Sequence, residues 1–149
     1  MRRILCLLAL ALPPLSAQSA LVSVIRQPRA TAIEFTTPVA DFEMKSHGDP
    51  VHVHLGIGLG ARHWDDGDNA IRFVADANLV AHEVFAGFGA IVEVPPGEGG
   101  FLGPRLRVGW AFHPNWALSL EAEHLERPFT DGLGVRRRSS IGLVLTTRF

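Results

Sequence analysis

The chain has 149 residues, of which 47% are hydrophobic, and its formal net charge is −1. About 130 residues remain beyond the predicted leader, which limits the chain to one small domain, and the near-neutral charge excludes the strongly basic surface of a nucleic-acid-binding protein. The only cysteine, Cys6, lies in that leader, so the folded part of the chain has no disulfide.

The N-terminus has the pattern of a secretory signal peptide. Arg2 and Arg3 provide positive charge, Ile4 to Leu15 is apolar, and Ser16 and Ala17 form a small-residue cleavage site. The apolar run is too short to span a bilayer as a helix. We therefore predict three segments: a signal peptide at 1–17, a periplasmic lead-in at 18–29 and a folded domain at 30–149.

Two short segments follow in which apolar and polar residues alternate. Thr31 to Thr37 carries Ile and Phe on one face, and Ala40 to Lys45 carries Phe and Met on one face, with acidic residues among those opposite. Pro38 separates the two segments. Because proline cannot donate a backbone hydrogen bond inside a sheet, we expect two short strands here, with the proline between them.

Six longer segments after residue 50 repeat the alternation more clearly. In each, one face is largely apolar and the other carries glycine, small or charged residues, which predicts strands with lipid on one side and a lumen on the other. These segments are Val51–Trp64, Ala70–Val80, His82–Val94, Phe101–Phe112, Trp116–Glu126 and Ser139–Phe149.

The connections between these segments alternate in length. Tight turns near residues 81–82 and 113–115 alternate with longer loops at 65–69, 95–100 and 127–137. Short periplasmic turns and longer outer loops are typical of outer-membrane barrels. The sequence therefore predicts an all-β fold, an eight-stranded antiparallel up-and-down transmembrane β-barrel.

The turn at residues 113–115 predicts a register for the strands on either side of it. With facing residue numbers adding to a constant, Arg107 faces Glu121 and Arg105 faces Glu123. A slip of one residue would place all four charges in lipid, so the register is strongly specified. We predict that these pairs fill a closed lumen, since eight strands leave an interior just wide enough for side chains. The same register predicts two apolar pairs on the lipid side, Trp110 with Leu118 and Phe112 with Trp116.

Three segments carry a resemblance to a known family. EVFAGFGAIVEV, LRVGWAFHPNWALSLEAEHL and SSIGLVLTTRF follow one another from Glu83 to Phe149. In their order and in the terminal aromatic residue they resemble the second half of small OmpA/OmpX-type barrels. The resemblance implies a bacterial outer-membrane barrel with a structural, adhesive or stress-related role. It also implies that Phe149 is read by the barrel-assembly machinery.

A second resemblance concerns His124, Glu126 and Ser139. His124 lies on the outward face of the seventh predicted strand, Glu126 follows two residues later, and Ser139 lies opposite across the last hairpin. The chain here is similar to lipid A deacylase barrels, which carry a catalytic His-x-Ser on the seventh strand and a Glu from the last hairpin. Glu126 stands where that family has Ser. The resemblance implies ester cleavage with His124 as base, and the alternative interpretation is a set of polar residues at the level of the lipid headgroups.

The remaining polar clusters point to no cofactor. His52 and His54 share a face, with Asp41 and Glu43 nearby in sequence, and lining of the lumen is favoured there over a metal site. The basic cluster Arg136–Arg138 is suited to anionic lipid headgroups. We expect an exported, monomeric outer-membrane protein with a structural or interaction role and no enzymatic activity. Its expected surroundings are outer-membrane lipid and lipopolysaccharide, with no nucleic acid, metal or cofactor.

Overall fold

In a computed structural model the chain forms a closed antiparallel β-barrel of eight strands in sequence order, which confirms the predicted fold class. The structure describes residues 20–46, 49–97, 99–127 and 137–148. In the described part of the chain there is no helix long and apolar enough to cross a membrane. The strands are β1 (Leu21–Gln27), β2 (Ala30–Ser46), β3 (Asp49–Trp64), β4 (Asn69–Ala81), β5 (Val84–Val94), β6 (Phe101–His113), β7 (Trp116–Glu126) and β8 (Arg137–Arg148).

The two ends of the barrel differ in their connections. The end that holds Leu21 and Arg148, which face each other, also holds the connections after β2, β4 and β6, and we call it the turn end. The connections after β1, β3, β5 and β7 lie at the opposite end, the loop end. At the turn end, β4 and β5 are joined by two residues, His82 and Glu83. His82 adopts a positive φ of 55°, as tight hairpins require.

The structure corrects the predicted start of the barrel. Leu21–Gln27 was expected to belong to the lead-in, but it forms β1, which pairs with both β2 and β8 and closes the barrel. The two short strands predicted on either side of Pro38 are one strand, β2, interrupted only by a register shift between Pro38 and Ala40. A β-bulge accommodates the proline without ending the strand. The predicted signal peptide and Phe149 lie outside the described residues.

β1 could not be recognised as a strand from the sequence, because apolar side chains occupy both of its faces. Ile25 points into the lumen and is fully buried, whereas Val24, its neighbour, points outward and is 43% exposed. Ser23 and Gln27 share the inward face with Ile25. With no contrast between the two faces, a period of two is not visible in these seven residues.

The strand pairing gives the barrel its stagger. Val22 faces Thr147 directly, but the path through successive partners around the other seven strands reaches Arg137, ten residues earlier on β8. That path runs Val22, Phe35, Leu59, Phe73, Val92, Leu102, Glu126, Arg137. Eight strands with this shear enclose a lumen narrow enough for side chains to fill it.

The wall is apolar outside and charged inside. Leu120 on β7 is 60% exposed and Leu143 on β8 is 51% exposed, whereas Glu121 and Arg72 are fully buried in the lumen. Phe88, at 63% exposure, lies on the outer face of β5. A water-soluble domain places these groups the other way round, whereas a barrel surrounded by lipid requires this arrangement.

Candidate functional site

The lumen is filled by a network of ion pairs that joins strands all around the barrel. Among the described residues, the network contains five arginines and five carboxylates, so its formal charges balance. Every member points inward from an alternating strand. The members are Arg62, Arg72, Arg105, Arg107, Arg138, Glu34, Asp76, Glu93, Glu121 and Glu123.

Arg105 lies at the centre of this network. Its Nε donates to Asp76 Oδ1 at 2.6 Å, and its Nη1 donates to Glu34 Oε2 at 2.7 Å. Its Nη1 also lies 3.4 Å from Glu121 Oε2. One guanidinium thus links carboxylates from β2, β4 and β7, which makes Arg105 a cross-brace between opposite parts of the wall.

The structure places the four predicted lumen residues inward, with the predicted backbone register: Arg105 faces Glu123 and Arg107 faces Glu121. Arg107 Nε donates to Glu121 Oε2 at 3.1 Å. Glu123, however, accepts from Arg72 Nη2 at 2.7 Å and from Arg62, while Arg105 extends to other carboxylates. The facing positions of Arg105 and Glu123 are therefore as predicted, but the two side chains form their ion pairs with other partners. A long arginine side chain crosses a narrow lumen and reaches acids on strands that are not its neighbours.

Of the two apolar pairs predicted on the outer face, one is confirmed and the other is wrong. Trp110 faces Leu118 as expected, but a register shift follows it, so Trp116 faces His113 and not Phe112. Six members of the network were not predicted as ion partners. Five of them lie on the polar faces of alternating segments: Glu34, Arg62, Arg72, Asp76 and Glu93. The sixth, Arg138, was expected at the lipid headgroups but lies 3.6 Å from Glu93 in the lumen.

An apolar cluster closes the lumen toward the loop end. Phe101 and Leu125 are buried together with Ile91 and Val74. The Arg138 guanidinium lies 4.3 Å from the centre of the Phe101 ring. It also lies 4.9 Å from the Trp64 ring, which adds cation–π attraction to the seal.

The turn end of the lumen is less densely filled. His52 and His54 stack with their ring centres 6.0 Å apart, and the nearer contact to a carboxylate is His54 Nδ1 to Asp41 Oδ1 at 3.4 Å. Both histidine side chains are about two-fifths exposed, at 42% and 38%. Within the described ranges, no group of three His, Cys, Asp or Glu side chains is placed to hold a metal ion.

His124, Ser139 and Glu126 meet on the outer face near the loop end. His124 and Ser139 are direct partners across β7 and β8, and His124 Nδ1 lies 2.6 Å from Ser139 Oγ. His124 Nε2 lies 3.2 Å from Glu126 Oε1. Glu126 also accepts from Arg137 Nε at 2.8 Å. The three residues suggested by the sequence therefore form one continuous hydrogen-bonded chain.

These three side chains are hydrogen-bonded in the order of a nucleophile (Ser139), a base (His124) and an acid that orients the base (Glu126). If His124 carries its proton on Nε2 and donates it to Glu126, Nδ1 is free to accept the Ser139 hydroxyl proton. The His124 and Glu126 side chains are 44% and 43% exposed, so a substrate approaching from outside the barrel can reach them. The network in the lumen lies on the opposite side of the wall and takes no part in this arrangement.

The comparisons with known proteins identify the fold and nothing finer. No family model and no curated protein matches the chain. A solved structure described as "De novo design of transmembrane beta-barrels" is similar over 91% of this chain and 98% of its own, with a TM-score of 0.58 and 12% sequence identity. That likeness shows the β-barrel fold of this chain, and the resemblance to OmpA/OmpX barrels stays a prediction.

Proposed function

We propose that this protein is a small, monomeric outer-membrane barrel with a structural or interaction role and a lumen closed to conduction. The observation that carries the proposal is the inverted polarity of the wall, with Leu120 and Phe88 outside and Glu121 and Arg72 buried inside. An Arg or Lys on the lipid face at mid-membrane destabilises a barrel by on the order of 2–4 kcal/mol, so a barrel in a bilayer is most stable with its charged side chains in the lumen.

The closed lumen in this proposal is supported by charge balance and by packing. Neighbouring carboxylates offset the charge of each arginine. Phe101 and Leu125 fill the lumen on the loop-end side of these ion pairs. A conducting pore needs a continuous water path along its axis, whereas these side chains meet across the axis. The expected surroundings are outer-membrane lipid and lipopolysaccharide, and Phe149 is the expected contact for the assembly machinery.

Fractionation of cells that express the full chain tests the location. We expect the protein to stay in the outer-membrane fraction after urea washing and to migrate faster on a gel when unheated than when boiled. Deletion of Phe149 is expected to lower the assembled fraction. Recovery of the protein in the soluble periplasmic fraction would refute the proposal, and steady single-channel conductance in planar bilayers would refute the closed lumen.

A second candidate function is ester hydrolysis at Ser139, favoured by the 2.6 Å and 3.2 Å contacts of His124. Here Ser139 Oγ attacks the carbonyl carbon of a membrane-lipid ester while His124 takes the hydroxyl proton. His124 then returns the proton to the departing alcohol oxygen. Water then attacks the carbonyl carbon of the acyl-serine ester and loses a proton to His124, and His124 passes that proton to Ser139 Oγ as the fatty acid leaves.

Mass spectrometry of lipids from expressing cells tests this candidate. The wild-type chain is expected to release one ester-linked acyl group from an outer-membrane lipid, and Ser139→Ala and His124→Ala are expected to abolish the release. Ser140→Ala provides the matched control, because Ser140 is the inward-facing neighbour and bonds Glu123 at 2.8 Å. Unchanged lipid spectra with the correctly assembled wild-type chain would eliminate the candidate.

A further inference from the structure

The hairpin formed by β2 and β3 reaches further at the turn end than the strand beside it. In the described part of the chain, pairing of β3 with β4 ends at His52 and Val80, whereas pairing of β3 with β2 continues to Asp49 and Ser46. Residues 40–46 of β2 and 49–53 of β3 form the end of this hairpin, and we call them the spur. The tip of the spur therefore lies beyond the point where β3 and β4 separate.

The bulge in β2 decides which face of the spur is apolar. Ile33 and Phe35 point outward before the register shift, at 38% and 44% exposure. Phe42 and Met44 point outward after it, at 53% and 49% exposure. Because one extra residue turns every later side chain to the opposite face, a strand without the bulge would point Glu43 outward instead. The bulge thus keeps the outer face of β2 apolar as far as Met44.

The stagger of the barrel places the spur well beyond the aromatic residues of β6. A path through successive partners runs Gly109, Phe85, Val80, His52, Glu43. Trp110 and Met44 each lie one residue nearer the turn end than their ends of this path. A stagger of ten residues over eight strands tilts the path by about 40° toward the turn end, so Met44 lies about 12 Å beyond Trp110 along the barrel axis.

The apolar face of the spur continues the outer face of the wall. Trp110 donates its indole N–H to Glu83 Oε2 at 2.9 Å, and an aromatic ring with such a polar partner is typical of a membrane–water boundary. No charged side chain points outward on β2 between Ile33 and Met44, so the same apolar surface extends past that boundary. An apolar surface is unfavourable in water, whereas a tilt of the barrel or a locally thicker bilayer covers it at a modest cost.

We propose that the outer face of the spur binds the hydrocarbon chains of membrane lipids in the leaflet at the turn end. The contact with lipid then reaches further along β2 and β3 than along β6. The proposal rests on the membrane location proposed above and extends it, because it names a projecting part of the molecule that enters the bilayer. It is independent of ester hydrolysis, since His124 and Ser139 lie toward the loop end.

Nitroxide spin labels on single cysteines test the proposal in the full chain with Cys6→Ser, assembled in phosphatidylcholine vesicles. Met44→Cys and Phe42→Cys are the test positions. Glu43→Cys is the matched control, because Glu43 is exposed on the opposite face of the same strand. Phe88→Cys reports on the wall itself, where Phe88 is 63% exposed.

Collision rates with two relaxation agents, molecular oxygen and a water-soluble nickel complex present on both sides of the membrane, locate each label. We expect the nickel rate at Met44 to be at least about tenfold lower than at Glu43, because hydrocarbon excludes a polar solute. The oxygen rate at Met44 should equal the rate at Phe88, because oxygen dissolves well in hydrocarbon. Phe42→Cys should give the same result as Met44→Cys. Heat-dependent gel migration identifies any variant that fails to assemble.

Equal nickel rates at Met44 and Glu43, with Phe88 protected from nickel, would place the spur in water and overturn the proposal. Low rates with both agents at Met44 and Phe42 would also overturn it, because they would show that a second copy of the chain covers the spur. Fast nickel collisions at Phe88 would instead refute the membrane location itself.

Discussion

The two halves of the lumen use opposite ways of filling a narrow barrel. The half toward the loop end contains the ion network and the buried Phe101 cluster, in which Glu34 and Arg72 are fully inaccessible. The half toward the turn end contains glycines on β3 and β5 and the partly exposed pair His52 and His54. One half of the lumen is therefore enough to close and brace the barrel, so the other half can stay open to water.

Accessibility to a thiol reagent gives the largest expected contrast between the halves. Cys6 is the only cysteine of the sequence, so in a form of the chain that begins at residue 18 a single substitution supplies the only thiol. His54→Cys should react with a membrane-impermeant maleimide at nearly the rate of a free thiol. Ile91→Cys, at a fully buried position, should react at least about a thousandfold more slowly, because reaction there requires an opening that costs about 4 kcal/mol or more. Comparable rates would show that the loop half is not closed.

Removal of Arg105 should give the largest loss of stability. Arg105→Ala removes the arginine partner of Asp76 and leaves five lumenal carboxylates with four arginines, and we expect the free energy of unfolding to fall by about 3–5 kcal/mol. Urea titration in detergent, followed by tryptophan fluorescence, measures the change. Arg26→Ala is the control: Arg26 forms an ion pair with Asp65 but is 57% exposed, and its loss should cost less than about 1 kcal/mol.

Replacing a glycine by alanine should destabilise the loop-end half more than the turn-end half, by less than the loss expected for Arg105→Ala. A Cβ at Gly103, near the loop end, would overlap the backbone carbonyl of His124, so Gly103→Ala should destabilise the barrel by about 1–3 kcal/mol. At Gly87, toward the turn end, the closest atom is the amide oxygen of Asn78, a side chain that can rotate away. Gly87→Ala should therefore cost less than about 1 kcal/mol. A reversed order in urea titrations would contradict the comparison.

The smallest effect is expected at His54. Its contact with Asp41 is 3.4 Å long and more than a third exposed to solvent, so His54→Ala should change the free energy of unfolding by less than about 1 kcal/mol. The same urea titration measures it. A loss comparable to that of Arg105→Ala would mean that the turn half also braces the barrel.

The strands after residue 50 were predictable because each one separates apolar and polar residues by face. β7, for example, alternates Leu118 and Leu120 with Ser119 and Glu121, and the bilayer and the lumen select for that contrast. β1 lacks the contrast, and its seven residues are recognised as a strand only through their pairing with β2 and β8. The bulge at Pro38 was missed for a related reason, since local sequence suggests a break that pairing with β3 overrides.

The candidate sites divide in the same way. The register of β6 and β7 predicted that Arg107 and Glu121 would be neighbours, because the two strands are joined by a short turn. Arg105 reaches Glu34, on a strand that is distant in sequence, and no local pattern indicates which acid a long side chain will choose. His124 and Ser139 were predictable as opposite residues, but their hydrogen bond depends on side-chain geometry.

Which residues form the outer and inner faces of β3 to β8 follows from the amino-acid sequence, because a period of two is a local property of an extended chain. How the barrel closes, through β1 and with a stagger of ten residues, depends on the tertiary structure. The choice of charges that meet across the lumen depends on it as well. These features depend on contacts between strands far apart in the chain, and such contacts arise only when the last strand meets the first.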